Sequence, residues 1–352
     1  MTIQENIDLA PLTTFGTGGK ARFFVNTKSS DDLLGALKFA KEKNIPQFVM
    51  GGGSNVVVAD KGFNGLVIHI TNTGISHIDD GDDALVTMAA GEVWDDVVAY
   101  AVKHGLWGIE NLSHIPGNAG AFVVQNVGAY GQEASQVTES VKVFDTQDMT
   151  DKVLTKEQCG FSYRRSIFNS TEKGRYIVLA TTLRLHTTPT PMLDYPDIQK
   201  YFAEQDNDPS IADIRQAIIT IRDGKFPDWQ NAGTAGSFFK NLYVSDQEYT
   251  TIKSYVEQHT PELLEALEGI KSKFYSEDGI KIPTAFIIDK VCGLKGRKVG
   301  GAVVSESQAL AILNPNKTAT SDDVVGLIEA VRSCVKEVTG KDIEVEPELL
   351  GF

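Results

Sequence analysis

The chain has 352 residues, 41% hydrophobic and 23% charged, the proportions of a folded globular protein with enough length for two or three domains. A net charge of −14 excludes a general binder of DNA, RNA or anionic membranes, since each demands a basic surface, but leaves room for a small anion held by a few placed cations. The N-terminus lacks the basic start and apolar core of a secretory signal, and no apolar run has the length of a membrane span, so a cytoplasmic location is expected.

Residues 21–25 (ARFFV) form a β-rich run. Ser29 and Ser30 followed by Asp31 and Asp32 start a helix, with acids where the dipole is positive. Leu33, Leu34, Leu37 and Ala40 continue it at helical spacing, and Asn44-Ile45-Pro46 stops it. Strands are predicted at 47–50, 56–58, 66–68 and 84–89. Val93, Trp94, Val97, Val98 and Ala101 make a helix ended at Gly105. A long loop-rich stretch spans 110–133, with strands near 141–144 and 176–185 after it. Ile211, Ile214, Ile218 and Ile221 stripe a helix that stops at Asp223-Gly224.

The last third holds a Gly/Ser loop at 231–237, helical segments at 247–269 and a strand-rich stretch at 285–313. Ser321-Asp322-Asp323 opens a final helix with Val324, Leu327, Ile328, Val331, Cys334, Val335 and Val338 on its buried side. Gly340 ends it, and 343–350 reads as a strand. The class is α+β, with composition shifts near residues 72 and 227. Cys159, Cys292 and Cys334 are odd in number and widely spaced, which suits reduced thiols better than a disulfide framework. The six histidines have no metal-ligand spacing, so no metal is predicted.

Several loops carry chemistry. Gly51, Gly52, Gly53, Ser54 and Asn55 follow a strand, and main-chain N–H groups without side chains in the way can surround a pyrophosphate. The Rossmann pattern fails at Val56, and no Lys-Ser/Thr pair follows for a Walker loop. A tight turn between strands is the alternative. A second segment joins Ile115, Pro116, Gly117, Asn118, Ala119 and Gly120 to Gln125, Asn126, Gly128, Ala129 and Tyr130. Its small residues suit the edge of a planar cofactor, and ordered loops of this length are uncommon without a function, although a surface loop is the bland reading.

Tyr163 and Arg164 precede a second arginine and offer guanidinium forks for a carboxylate or phosphate, or else a solvated surface. Ser237 lies among glycines ahead of Lys240 and Asn241, without the spacing of a nucleophile elbow; a cap or turn role is the alternative. Arg222 and Lys225 form either an anion site or a helix end complementing its dipole. Glu348, in Glu346-Pro347-Glu348, is either a catalytic carboxyl or an edge-strand charge.

In this order and spacing these motifs resemble the UDP-N-acetylenolpyruvoylglucosamine reductase (UDP-N-acetylmuramate dehydrogenase) family over essentially the whole chain. The resemblance runs through GGGSN at 51–55, IPGNAG at 115–120, QNVGAYG at 125–131, YRRS at 163–166, AGSFFKN at 235–241, IIDKVCGLKG at 287–296 and EPE at 346–348. It implies an FAD-binding fold of the vanillyl-alcohol-oxidase type in two parts, 1–72 and 73–226, and a substrate-binding domain, 227–352. It also implies reduction of UDP-N-acetylglucosamine enolpyruvate by NADPH through FAD in bacterial peptidoglycan precursor synthesis, by a monomer. Residues 191–196 (PMLDYP) resemble the tyrosine loop of type I members, which gives Tyr195 the role of covering the sugar nucleotide. Tyr163, Arg222, Lys225, Lys240 and Asn241 join it as substrate-binding residues.

By the same resemblance, Arg164 binds the substrate carboxylate, Glu348 partners it as a protonated acid whose pKa burial would raise, and Ser237 donates the proton. A serine is a weak acid, so Lys240 or a water would have to polarise it. His114 stands where relatives carry a small or aliphatic residue, and Val123 where proline is usual. Two other readings compete: another FAD enzyme on this scaffold, such as an oxidase, and a non-catalytic sugar-nucleotide sensor. The oxidase would have no need of Ser237, Glu348 and Tyr195 together, and retention of Arg164, Ser237 and Glu348 speaks against the sensor.

Overall fold

The computed structural model of the chain describes residues 1–204, 208–276 and 279–352. It divides into two compact units. One comprises Met1–Ile7, Ala21–Gly53 and Asn64–Gly224; the other comprises Asp8–Lys20, Ser54–Phe63 and Lys225–Phe352. Both mix helices with sheets, as the α+β assignment expects. No described helix is long and apolar enough to cross a membrane.

The first unit carries a four-stranded sheet in the order Ile3–Asp8, Lys20–Thr27, Phe63–Ile70, Gln47–Met50. Its second sheet is antiparallel, in the order Thr150–Thr155, Thr138–Asp145, Tyr176–His186, Asp83–Ala89, Ile75–Asp80. The helix Ser30–Lys43 starts where the sequence places it, because the Ser29 hydroxyl accepts the Asp32 N–H at 3.2 Å. Asn44 closes it in the left-handed region, and Leu33, Ala36, Leu37 and Ala40 are its buried stripe. Helix Ile211–Asp223 buries Ile211, Ile214 and Ile218 against Trp107, Tyr130 and Ile198.

The stretch 110–133 is not loop throughout: Ala119–Val124 is a short helix. Its Phe122 ring stacks on Trp94 at 3.9 Å, so burial of an aromatic pair overrides the loop-like composition. At the end of strand Thr138–Asp145, the buried Asp145 carboxylate accepts from Lys152 Nζ at 2.8 Å and Arg175 Nη2 at 3.1 Å. Burial works against its charge, but those two cations and two main-chain N–H groups outweigh it and hold the carboxyl well below the usual carboxylate range.

The second unit has a sheet in the order Ala232–Ser237, Ala311–Pro315, Ala302–Val304, Lys298–Val299 and a smaller one of Leu242–Val244, Gly279–Ile282 and Tyr275–Ser276. Helix Ser321–Thr339 covers their core with Val324, Leu327, Ile328, Val331, Val335 and Val338. The segment read as a Gly/Ser loop at 231–237 is a strand. Beyond its antiparallel pairing with Ala311–Pro315, Thr234 N–H donates to the Thr14 carbonyl at 3.1 Å and Thr14 Oγ1 to the Thr234 carbonyl at 2.6 Å. Non-local pairing supplies what its weak β propensity lacks.

Three other expectations are corrected. The stretch 285–313 begins helical, with Thr284–Phe286 passing into a π-turn at Ile287–Val291 closed by Cys292 N–H to the Ile287 carbonyl at 2.8 Å; its strands come later. The terminal strand is only Glu348–Leu350, parallel to Val56–Val58, because Pro347 cannot donate to a ladder. Cys292 and Cys334 form a disulfide with a Cα–Cα distance of 6.2 Å, which overturns the reading of three reduced thiols. Their separation of 42 residues disappears where the last helix packs beside the π-turn. Cys159 alone is free and buried, and burial first, then the Glu157 charge, pushes its thiol up to about 12.

Candidate active site

In the first unit the two glycine-containing segments meet. A Cβ on Gly52 would lie 2.3 Å from Asn118 Oδ1 and 2.9 Å from Gly117 Cα, so only glycine lets the 51–53 loop touch the 117–118 loop. The second loop is pinned to the sheet: Ala119 N–H reaches the Glu92 carbonyl and Gly120 N–H the Ala90 carbonyl, both at 2.8 Å. Ile115, Pro116 and Gly117 are half-buried between Ser113 and these anchors. Residues 51–53 present no side chain, and the abutting loop is built from small residues. That donor set of main-chain amides fits the diphosphate of a flavin dinucleotide.

Arg164 sits in a turn that its neighbours hold under strain. Ser162 and Arg165 exchange main-chain hydrogen bonds at 2.9 and 3.0 Å, and Arg164 occupies the third position at φ +54, where glycine or asparagine is ordinary. A non-glycine residue there costs about 1 kcal/mol. Three side chains offset this: Asn126 Nδ2 donates to the Ser162 carbonyl at 3.0 Å, Asn169 Nδ2 to the Arg164 carbonyl at 3.2 Å, and Ser166 Oγ to the Val124 carbonyl at 2.7 Å. The guanidinium donates from Nη2 to the Gly128 carbonyl at 2.7 Å and lies 5.5 Å from the Tyr163 ring centroid. A Cβ on Gly128 would fall 2.8 Å from Glu133 Cβ and 3.3 Å from Arg164 Nη1. The predicted loop of Gln125, Asn126, Gly128, Ala129 and Tyr130 and the predicted Arg164 are therefore one structure. Strain held in place by its surroundings makes Arg164 a candidate functional position.

Tyr130 and Tyr195 also come together, with ring centroids 5.1 Å apart in an edge-to-face contact. Tyr195 is 40% exposed and precedes the helix Pro196–Phe202. Asn111 joins the two loops: its Nδ2 donates to the Tyr130 carbonyl at 2.9 Å and the Met192 carbonyl at 2.8 Å. The sequence reading missed Asn111, because nothing local distinguishes a wholly buried asparagine from a surface one. Arg222 donates from Nε to the His114 carbonyl at 3.0 Å and hydrogen-bonds Tyr130. It is thus part of this cluster and more than an exposed helix end. Burial lowers its proton affinity, and the Tyr130 hydroxyl and Asp95 counteract that. Burial likewise pushes the Tyr130 phenol up.

The second unit holds the remaining candidates. Ser237 ends its strand opposite Ala311 beside a bulge, is half-buried, and its hydroxyl has no hydrogen-bond partner among the described residues. Lys240 Nζ pairs with Glu344 Oε2 at 2.6 Å, so its charge is already engaged. Asn241 Oδ1 accepts the Thr284 N–H at 3.1 Å and positions the start of the 284–291 turn. The Lys225 carbonyl accepts from Ser307 Oγ at 2.9 Å. Asn55 ties the glycine loop's end to the C-terminus: its Nδ2 donates to the Glu346 carbonyl at 3.1 Å, and its carbonyl accepts Glu348 N–H at 2.9 Å. Ser54 is half-buried. Glu348 itself is exposed, not buried as expected.

A family model described as an FAD binding domain matches residues 21–149, over both glycine segments. Fold and site thus define an FAD-dependent oxidoreductase. A second model, the C-terminal domain of UDP-N-acetylenolpyruvoylglucosamine reductase, matches residues 228–350. The chain is 36% identical over 352 residues to the UDP-N-acetylenolpyruvoylglucosamine reductase of Neisseria gonorrhoeae, covering 99% of this chain and 97% of that one. It is 37% identical over 354 residues to that of Bdellovibrio bacteriovorus, covering 99% of each. The chain belongs to the UDP-N-acetylenolpyruvoylglucosamine reductase family. The crystal structure of the Thermus caldophilus reductase, 24% identical, has the same fold, with a TM-score of 0.66 over 99% of this chain and all of that one.

Proposed function

We propose that the chain reduces UDP-N-acetylglucosamine enolpyruvate to UDP-N-acetylmuramate with NADPH, as a cytoplasmic monomer in peptidoglycan precursor synthesis. The observation that carries this reading is relatedness along the whole chain to UDP-N-acetylenolpyruvoylglucosamine reductases. The bound flavin supplies hydride transfer from the nicotinamide to the enolpyruvyl methylene. Addition there turns the methylene into a methyl group, leaves the electron pair on the adjacent carbon and delocalises it into the carboxylate.

Arg164 binds that carboxylate and stabilises the enolate, a task suited to a guanidinium whose turn cannot reorganise. Glu348 assists at the same group. Ser237 delivers the proton to the carbon, which completes the lactyl ether. Since Lys240 is paired with Glu344, a water is the better activator of Ser237. Tyr195, Tyr163, Arg222, Lys225, Lys240 and Asn241 hold the sugar nucleotide; residues 1–72 and 73–226 form the two flavin-binding parts and 227–352 the substrate domain.

Ser237→Ala tests the assignment. It is expected to keep flavin reduction by NADPH at the parental rate and to lose turnover of the enolpyruvyl substrate. Equal loss of both half-reactions would remove Ser237 from the role of proton donor.

A further inference from the structure

Asp95 lies in the first turn of the helix Trp94–Lys103 and takes part in none of the chemistry above, yet three bonds converge on it. Arg215 Nη1 and Nη2 reach its two oxygens at 2.7 Å each, a fork-to-fork pair across 120 residues of sequence. The same Oδ1 accepts the His114 main-chain N–H at 2.5 Å. His114 is left-handed, at φ +60, which is unfavourable for a residue with a Cβ. Its carbonyl accepts Arg222 Nε at 3.0 Å, and its ring meets Asp223 Oδ1 at 3.0 Å. Arg215 and Arg222 are seven residues apart on the helix Ile211–Asp223, two turns along one face. One carboxylate therefore fixes that face twice: directly through Arg215, and through the His114 carbonyl at Arg222.

We propose that Asp95 is the positioning residue for Arg222: by holding His114 in its left-handed turn it aims a main-chain carbonyl that fixes the Arg222 guanidinium for an anionic ligand. This rests on the reading of Arg222 as a ligand for the sugar nucleotide. Arg215 neutralises the carboxylate, so Asp95 orders the cation beside it without presenting an uncompensated negative charge to the substrate. The strained turn is secured by a charge-assisted bond from outside the loop.

The test uses the FAD-loaded enzyme and compares Asp95→Ala, Asp95→Asn, Arg222→Ala and the double variant Asp95→Ala/Arg222→Ala. Readouts are kcat, KM and the equilibrium Kd for UDP-N-acetylglucosamine enolpyruvate, with flavin content and Tm beside them. Asp95→Ala is expected to raise KM and Kd by about 10-fold with kcat within about threefold. Asp95→Asn keeps an acceptor for the His114 N–H and is expected to recover most of that loss. The double variant should be no worse than Arg222→Ala alone, since both act through one guanidinium. Should Asp95→Ala fail to fold, His114→Val disfavours the left-handed turn while leaving the Asp95–Arg215 pair intact, and the same rise in KM and the same non-additivity are expected. Unchanged KM and Kd in Asp95→Ala and His114→Val beside a large rise in Arg222→Ala, or fully additive effects, would overturn the inference alone. Unchanged KM and Kd in Arg222→Ala would overturn the reading of Arg222 and the inference with it.

Discussion

Gly52→Ala is the sharpest test of how the flavin loops are built. The new methyl carbon would stand 2.3 Å from Asn118 Oδ1, 2.9 Å from Gly117 Cα and 3.2 Å from Gly117 C. The Asn118 amide can rotate, but the Gly117 contacts are main chain, and the loop is bonded on through Trp94 N–H to the Gly117 carbonyl at 3.0 Å. Restoring an ordinary van der Waals gap therefore requires the two segments to separate by roughly 1 Å. Overpacking of this kind costs about 1–3 kcal/mol. Because the displaced segments are the ones we propose to hold the dinucleotide, most of that cost should appear in FAD affinity, as a loss of about 5- to 150-fold.

The assay is titration of the FAD-depleted protein with FAD, followed by quenching of flavin fluorescence. Gly269→Ala is the control, since Gly269 lies in the helix Leu264–Phe274 and a Cβ there meets nothing within 4 Å. It should leave FAD affinity alone and raise Tm slightly. An unchanged FAD Kd in Gly52→Ala would refute the packing of residues 51–53 on 117–118 as the basis of the cofactor site.

Arg164→Lys should lower kcat/KM for the enolpyruvyl substrate by at least about 100-fold, because an ammonium cannot supply the planar fork, with flavin reduction by NADPH retained; steady-state and stopped-flow kinetics read both. Asp145→Asn should lower Tm by a few degrees at pH 7. The native carboxyl is held below its unfolded value, so the stability it confers is present above about pH 4 and is lost as pH falls further. The gap in Tm between the two proteins should therefore close toward pH 3, and a gap that persists there would contradict the ion-pair account. Cys334→Ser should destabilise the oxidised protein by up to about 4 kcal/mol by releasing a loop of 42 residues, measured by urea unfolding with and without reductant. Thiol titration of the denatured, unreduced parent should find Cys159 alone.

Much of the local architecture was legible because the signals were local. Ser29 with Asp31 and Asp32 started a helix, Asn44 ended it, and the isoleucine stripe from Ile211 faced inward, each by caps and spacing that do not depend on the rest of the chain. The failures share a cause. The strand Ala232–Ser237 has the composition of a loop and exists through partners at Thr14 and residues 311–315, far away in sequence. The Cys292–Cys334 bridge joins a π-turn to a helix, and no spacing rule anticipates that contact. The same division runs through the site. Arg164 and the glycine segments could be picked out by residue type and resemblance. Residues that hold the site in place, Asn111 and the Asp95–Arg215 pair, could not, because their importance lies in bonds to residues far away in sequence. Glu348 shows the converse: its motif was recognised, but its burial was assumed from the chemistry, and the fold leaves it exposed.

The central claim is that this chain carries electrons from NADPH through FAD to an enolpyruvyl sugar nucleotide. It is tested most directly by visible absorption of the purified protein under anaerobic conditions. The account predicts a flavin band that bleaches on addition of NADPH and returns on addition of UDP-N-acetylglucosamine enolpyruvate. A reduced flavin that recovers only when air is admitted would contradict it in favour of an oxidase, and a protein that cannot be loaded with FAD would contradict the site itself.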